Sequence, residues 1–262
     1  MRLPLLFLVF ALPSAAESSN AFEMLEHDGP VAVLRLTTVQ PDGTATGDVI
    51  APGTSGLPEH LTVIQQGPLR HTFTEGMTIV AALRKVSVGW VYVPKGPSPT
   101  EARRSTGRAL ARFLSRAREA HTRPPTQQFD VWLSALDHPS EVARTLGFGR
   151  LMAHRDTLHP LLEPERVNRL GHLLTAPDTD PSVCELVLRL MVAYANDAVV
   201  RWVDTHWAML RSDRLRLQAV GVFQRVKSPT ADAALDRCAR EARGAAQKRC
   251  VRIQLRKHSD GR

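Results

Sequence analysis

Histidine side chains can hold a metal, and this sequence contains ten of them among 262 residues. The nearest approach to a ligand pair is His154 and His159, with four residues between them. Zinc proteases place two histidines and a glutamate on one helix. Here Pro160 follows the second histidine, and no carboxylate stands at the matching position. The sequence therefore predicts no metal site.

Two glycine-containing segments have a superficial likeness to catalytic or cofactor-binding motifs. Residues 53–56 (Gly-Thr-Ser-Gly) lack the Gly-x-Ser-x-Gly spacing of a nucleophile elbow. Residues 147–149 (Gly-Phe-Gly) have no third glycine at dinucleotide spacing and follow no strand pattern. We therefore predict no catalytic residue and no cofactor. An exported hydrolase of unrecognised type is kept as an alternative.

The three cysteines are Cys184, Cys238 and Cys250. The last two each lie on the apolar stripe of a predicted helix, and the midpoint between them is Gly244, where a helical hairpin would turn. Facing positions in a hairpin allow a disulfide between Cys238 and Cys250 in an oxidising compartment. Two separate buried thiols are the alternative. Three cysteines at these spacings do not match a metal site.

A further group of side chains is suited to binding. Arg201, Trp202, His206 and Arg214 combine positive charge with aromatic rings, and positions 202 and 206 are one helical turn apart. Tryptophan and arginine are enriched at binding hot spots, so these four residues are a candidate binding patch. The alternative is that Trp202 lies in the core of a helical stack.

The elements that position these side chains begin after a distinctive N-terminal segment. Arg2 precedes an apolar run over residues 3–12, and the small residues Ser14 and Ala16 stand at −3 and −1 of a cut after Ala16. This order is typical of a secretory signal peptide over residues 1–16. The run is shorter than the roughly 20 residues of a membrane span. We expect an exported protein, periplasmic or secreted, with no transmembrane anchor after cleavage.

The net charge of +8 is unevenly distributed. Residues 101–123 contain seven arginines against two acids, and residues 237–262 contain nine basic residues against two acids. Basic faces attract polyanions. In an exported protein the polyanion would be an acidic envelope polymer, a lipid headgroup or an acidic protein, and not nucleic acid. A solvated surface is one alternative, and a nucleic-acid-binding protein is another if the chain is not exported.

Residues 21–94 have the two-residue period of β structure and predict one small domain. Turn signals such as Pro41-Asp42-Gly43 separate short runs that are rich in β-branched residues. Five short strands predict a small, partly open barrel, because closure limits exposed strand edges. The predicted strands are Val31–Val39, Thr44–Ala51, Leu61–Gln66, Met77–Arg84 and Gly89–Val93.

The later part of this domain resembles a known type of barrel. In residues 73–83 a glycine turn opens a strand that ends in aliphatic residues, and residues 89–93 (Gly-Trp-Val-Tyr-Val) form a short aromatic strand. This is similar to the late strands of OB-type barrels in exported bacterial proteins, including netrin-like modules, whose cysteines are absent here. The resemblance implies an OB-like barrel and no particular ligand.

A linker at residues 95–100 separates the barrel from a helical domain at residues 101–258. Three prolines in residues 94–99 interrupt regular hydrogen bonding, and beyond them the apolar period changes from two to about 3.6. Thr100 is expected to cap the first helix. Nine helices are predicted, near residues 101–120, 127–136, 140–154, 163–175, 182–196, 198–210, 213–226, 230–242 and 245–257.

Several of these helices begin in a similar way. The starts near Asp137, Asp180, Ser212 and Gly244 are about 32 to 43 residues apart, which is the range of two-helix repeats. They resemble HEAT-type repeats, whose second helix often opens with Asp-x-x-Val-Arg, although the arginine is mostly missing here. A non-repetitive bundle is the alternative. The predicted fold class is α+β, with a small N-terminal OB-like β-barrel followed by an all-α, HEAT-like helical-repeat domain.

These features predict an exported, non-enzymatic interaction or scaffold protein of the bacterial cell envelope. Arginine far outnumbers lysine and alanine is abundant, which is typical of GC-rich bacterial genomes. Helical repeats commonly present extended binding faces. The expected ligand is therefore a protein or an anionic envelope polymer.

Overall fold

The computed structural model describes residues 29–52, 57–65, 73–87, 89–92, 100–101, 104–121 and 123–260. The predicted signal peptide (residues 1–16) and most of the predicted linker lie outside the described residues. The chain divides into two compact units. The first unit comprises Met1–Arg123 and His138–Leu146, and the second comprises Pro124–Asp137 and Gly147–Arg262.

The first unit contains the β-barrel that the sequence predicts. Its strands run in the order β1-β2-β3-β5-β4, and β4 also pairs with β1, so that five strands close the barrel. All of these pairs are antiparallel except β3 with β5. The strands are β1 (Val31–Val39), β2 (Ala45–Pro52), β3 (His60–Gln65), β4 (Thr78–Val86), β5 (Gly89–Tyr92) and the short β6 (Thr100–Glu101).

Alternate residues of the strands fill the interior of the barrel, as the period of two requires. Leu34 of β1 and both Ile79 and Leu83 of β4 are fully buried there. The rings of Phe73 and Tyr92 meet edge to face, with centroids 5.4 Å apart. The interior is therefore a packed core of aliphatic and aromatic side chains.

Helix α1 (Arg104–His121) packs on the outer wall of the barrel within the same unit. Val33 lies between interior residues of β1, so its side chain is on the outer face of the barrel. It is nevertheless fully buried. A Cβ atom on Gly107 would lie 2.9 Å from Cγ1 of Val33, so the glycine allows the helix to approach the strand closely. Arg118 donates a hydrogen bond of 2.6 Å to the carbonyl oxygen of Gly29. The first helix is thus part of the compact unit that contains the barrel.

Thr100 differs from its predicted role as a helix cap. It pairs with Val80 in β4 as part of strand β6, and α1 begins at Arg104. The edge of β4 offers hydrogen-bonding groups to residues 100–101 before the helical pattern starts. Pairing across the sheet has outweighed the local preference of threonine for a cap.

The chain beyond α1 is helical, as the change of period predicts. Four of the helices begin at a side chain that accepts a backbone hydrogen bond, namely Asp180, Asn196, Ser212 and Ser228. Short 3-10 turns lie at His159–Leu161 and Trp207–Met209. The helices are α2 (Pro125–Ala135), α3 (Glu141–Ala153), α4 (Arg155–Leu158), α5 (Pro164–Thr175), α6 (Pro181–Ala193), α7 (Asp197–Thr205), α8 (Asp213–Arg225), α9 (Pro229–Glu241) and α10 (Gly244–Asp260).

Helices α5 to α10 lie in two layers. Helices α5, α7 and α9 form one layer and α6, α8 and α10 the other, because each helix contacts the next but one along the chain. Three of the hydrogen bonds within this stack join residues that are 31 to 34 positions apart. Helices α5 to α10 therefore form a two-layered helical stack. The bonds join Arg211 to the carbonyl oxygen of Pro177, Ser228 to Asp197, and Arg249 to the carbonyl oxygen of Leu217.

Candidate interaction surfaces

Helix α1 turns a row of arginines away from the barrel. Arg108, Arg112 and Arg116 are exposed and follow one another at four-residue spacing, which places them on one side of the helix. We call these three residues the arginine ridge. Among the described residues, no carboxylate lies within ion-pair distance of any of the three. The ridge is therefore a concentrated and uncompensated positive surface.

The other arginines near the C-terminal end of α1 have structural partners. Arg118 bonds the carbonyl oxygen of Gly29, and Arg123 pairs with Glu119 at 3.3 Å. Like charges four residues apart destabilise an isolated helix by about 0.2–0.5 kcal/mol per pair, and the ridge contains two such pairs. Burial of the opposite, apolar face of α1 on the barrel offsets this repulsion. A bound polyanion would remove it.

His138 lies beside the ridge, within the same unit. Its ring is buried against Phe113, with centroids 5.4 Å apart. Its Nδ1 accepts a hydrogen bond of 3.0 Å from the backbone N–H of Ser140, and the ring also hydrogen-bonds the backbone of Ala109. Burial lowers the pKa of His138, and the positive charge of Arg116 lowers it further. His138 is therefore a neutral structural contact that holds the start of α3 against α1.

The predicted aromatic and basic patch is not one exposed surface. Trp202 is only 7% exposed, and its ring occupies the space beside Gly171. The ring of His206 stacks on the indole with centroids 4.4 Å apart, and its Nδ1 lies 2.9 Å from the carbonyl oxygen of Trp202. Trp202 thus belongs to the core of the helical stack, which is the alternative that the sequence leaves open.

The two arginines of the same predicted patch have different surroundings. Arg214 forms an ion pair of 3.1 Å with Glu185 of α6. Arg201 is exposed on α7. Both arginines are therefore exposed, and Arg214 also joins its segment to α6. Ligand binding by these residues stays a prediction.

The structure brings Cys238 and Cys250 together across the hairpin of α9 and α10. Their Sγ atoms are 2.07 Å apart, at the distance of a disulfide, and their Cα atoms are 6.1 Å apart. Gly244 begins α10 with φ of 65°, a left-handed conformation that glycine adopts without steric cost. Cys184 is buried in α6, and burial raises the pKa of its thiol. The oxidation of the pair in the native protein depends on the compartment and stays a prediction.

Comparison with protein-family models, with curated proteins and with solved structures finds no match for this chain. The architecture of each unit therefore rests on its strand pairing and helix contacts. The surfaces are interpreted from their own geometry and charge.

The second unit contains a polar network that has a structural role. Arg166 donates two hydrogen bonds, of 2.8 and 3.0 Å, to the carboxylate of Asp130, and its guanidinium lies over the ring of Phe129. The hydrogen bond from Arg166 lowers the pKa of Asp130. The buried hydroxyl of Tyr194 donates to the carbonyl oxygen of Leu151, and burial raises the pKa of this tyrosine. These shifts hold both groups in their ordinary charge states at neutral pH, as expected of structural contacts and not of an acid–base pair.

His154 and His159, the histidine pair noted in the sequence, do not belong to a cluster of metal-ligating side chains among the described residues. His159 stacks on Tyr194 with centroids 6.1 Å apart, and His154 is exposed where α4 begins. Within the residues that the structure describes, no three histidine, cysteine, aspartate or glutamate side chains are grouped as metal ligands. Over the same part of the chain, no helix is both long and apolar enough to cross a bilayer.

Helix α10 carries a second basic surface of a different character. Lys248 and Arg252 are exposed on it, together with Val251 and Leu255, which are 39% and 67% exposed. Positive charge is therefore mixed with aliphatic surface on α10, whereas the arginine ridge has charge alone. The charge of both segments is visible in the sequence. The helical register, with its four-residue spacing, is the signal that assigns each residue to its face.

Proposed function

We propose that this chain is an exported, non-enzymatic interaction protein of a bacterial cell envelope. Its ligand is an anionic envelope polymer or a protein, and we favour the polymer. The observation that carries the binding part of the proposal is the arginine ridge on α1, a row of exposed cations without acidic partners among the described residues. Concentrated charge of one sign attracts a polymer of the opposite sign.

Export is supported by two independent features of the chain. The first is the signal-peptide pattern of residues 1–16. The second is the approach of Cys238 and Cys250 to bonding distance, since disulfides persist in oxidising compartments and are rare in the cytosol.

The stack of two-helix repeats supports an interaction role. Its layers resemble those of HEAT-type repeats, in which successive helix pairs create an extended surface. Three hydrogen bonds within the stack, between residues 31 to 34 positions apart, are in keeping with this resemblance. In this proposal the repeats provide a rigid scaffold, and the charged helix faces provide the contacts.

Affinity capture tests the proposed function. The purified protein is immobilised and exposed to periplasmic extract of its own host, and captured carbohydrate, phosphate and protein are measured separately. We expect a polymer that elutes with salt, because the contact is electrostatic. Recovery of no specific polymer or protein contradicts the proposal.

A nucleic-acid-binding protein is the second candidate, because the same uncompensated arginines would attract a phosphodiester backbone. The two candidates differ in compartment. A cytosolic nucleic-acid binder keeps its intact N-terminus in the cell, whereas an exported protein begins at Glu17 after cleavage. The N-terminal sequence of the native protein therefore separates them.

A further inference from the structure

We propose that the arginine ridge of Arg108, Arg112 and Arg116 is the binding site for a linear anionic polymer that contacts all three guanidinium groups. This inference deepens the proposed function and rests on it for the envelope origin of the polymer. The chemical class of ligand follows from the arrangement of the ridge itself.

The spacing of the ridge favours a linear ligand. Four residues of helix advance about 6 Å along the axis, so Arg108 and Arg116 are about 12 Å apart in that direction. A small anion spans one guanidinium, whereas a chain with regularly repeated charges meets all three. Each guanidinium can bind a phosphate or a carboxylate through two parallel hydrogen bonds.

The ridge is held on a rigid support. The opposite face of α1 is buried, with Phe113, Leu114 and Ala117 each only 1% exposed. The hydrogen bond from Arg118 to the carbonyl oxygen of Gly29 ties the same helix to the segment that leads into β1. The polymer therefore orders side chains on a backbone that is already fixed, which lowers the entropic cost of binding.

The absence of apolar surface on α1 distinguishes a polymer from other polyanions. The large hydrophobic side chains that are exposed among the described residues are Met152, Met209, Val251 and Leu255, and none of these belongs to α1. A helix that binds a lipid surface inserts apolar side chains between the headgroups, and a docked protein buries an apolar core. The ridge offers charge alone, and charge alone suffices for a polyelectrolyte.

The test is a salt-dependent titration of the purified protein with long-chain polyphosphate and, separately, with polygalacturonate. In the ridge variant, Arg108→Gln, Arg112→Gln and Arg116→Gln are combined. In the matched control, Arg169→Gln, Arg189→Gln and Arg225→Gln are combined, which removes the same charge from exposed positions on three other helices. A third variant replaces the ridge with Arg108→Lys, Arg112→Lys and Arg116→Lys, and circular dichroism verifies that all variants fold.

The ridge variant should bind about tenfold more weakly than the unmodified protein at moderate salt, while the scattered control stays within about twofold. Each contact contributes roughly 0.7 to the slope of log binding constant against log salt concentration. Loss of three contacts should therefore reduce the magnitude of this slope by about 2. The lysine variant should keep this slope, because it keeps the charges. A preference for polyphosphate or for polygalacturonate identifies the envelope source as a phosphate-bearing or a carboxylate-bearing polymer.

Equal losses in the ridge variant and the scattered control overturn the proposal, because total charge would then explain the binding. Binding only to phosphatidylglycerol vesicles, or tighter binding to single-stranded DNA than to polyphosphate at equal charge, also overturns it. Failure of the export proposal has a separate signature. A native protein that retains Met1 contradicts export and leaves the measured affinity of the ridge unchanged.

Discussion

The indole of Trp202 occupies the position where a side chain at Gly171 would lie. A Cβ atom on Gly171 would be 2.0 Å from Cε2 of Trp202, far inside van der Waals contact. Helices α5 and α7, which carry the two residues, are neighbours in one layer of the stack. The glycine therefore allows the close packing of α5 and α7, and the tryptophan is a core residue.

Gly171→Ala should destabilise the second unit by about 1–3 kcal/mol, because the added methyl group has no room. Urea unfolding measures the change. Gly221→Ala is the matched control, since a Cβ there would lie 3.3 Å from Cγ1 of Val192 and alanine favours helix by up to about 1 kcal/mol. We expect the control to be near neutral. Equal stability of Gly171→Ala and the unmodified protein would show that the packing of Trp202 has been misinterpreted.

His138 should make the stability of the first unit depend on pH. Its folded pKa is lower than the ordinary value of 6.5, chiefly because of burial. As the pH falls below 6.5, the unfolded chain binds a proton before the folded one, so the free energy of unfolding decreases until the folded pKa is reached.

Unfolding curves between about pH 7.5 and about pH 5 measure this dependence. His138→Asn cannot titrate and still offers an acceptor to the N–H of Ser140, so it should flatten the dependence. His172→Asn, at an exposed position on α5, should leave it as in the unmodified protein. If His138→Asn leaves the pH dependence of the free energy of unfolding unaltered, another group is responsible for it.

The pairing of Cys238 and Cys250 should stabilise the hairpin of α9 and α10. The two cysteines are 12 residues apart, and closing a loop of that length removes unfolded-state entropy worth about 3 kcal/mol at most. A reducing agent should therefore lower the melting temperature of the oxidised protein. The combined variant Cys238→Ser and Cys250→Ser should already melt lower and be insensitive to reduction, whereas Cys184→Ser should respond as the unmodified protein does. A melting temperature that reduction leaves unchanged argues against the bond.

The ion pair of Arg166 and Asp130 should contribute to the stability of the second unit. Arg166→Met should lower the free energy of unfolding in urea by about 1–2 kcal/mol. This is less than for a fully buried charged hydrogen bond, because Asp130 is half exposed. Arg166 lowers the pKa of Asp130 below its usual 3.8, so this stabilisation is present at neutral pH and is lost as the carboxylate becomes protonated in acid. Arg169→Met, on the same helix, should change stability by less than about 0.5 kcal/mol.

Regular elements were predictable from the sequence because their signals are local. The strand predicted at Val31–Val39 has those bounds in the structure, and the predicted helix at 213–226 is observed at Asp213–Arg225. Alternation of period two and stripes of period 3.6 report which face of an element is buried. The predicted α+β class, a small barrel followed by helices, is confirmed.

Contacts between distant residues were the part that the sequence could not supply. The sequence predicts that Thr100 caps a helix, but in the structure Thr100 pairs with Val80. In the sequence, Trp202 could belong either to a binding surface or to the core. The close approach of its ring to Gly171 in the structure shows that it belongs to the core. No local pattern encodes these two contacts. The arginine ridge differs from them, because its four-residue spacing is visible in the sequence and only its surroundings required the structure.

The mass of the native protein, isolated after its free thiols have been blocked with iodoacetamide, tests most directly whether this chain works outside the cytoplasm. Export predicts a chain that begins at Glu17, contains a disulfide between Cys238 and Cys250, and carries one blocked thiol, at Cys184, after denaturation. A chain that begins at Met1 and carries three blocked thiols would contradict the proposed compartment and, with it, the envelope ligand.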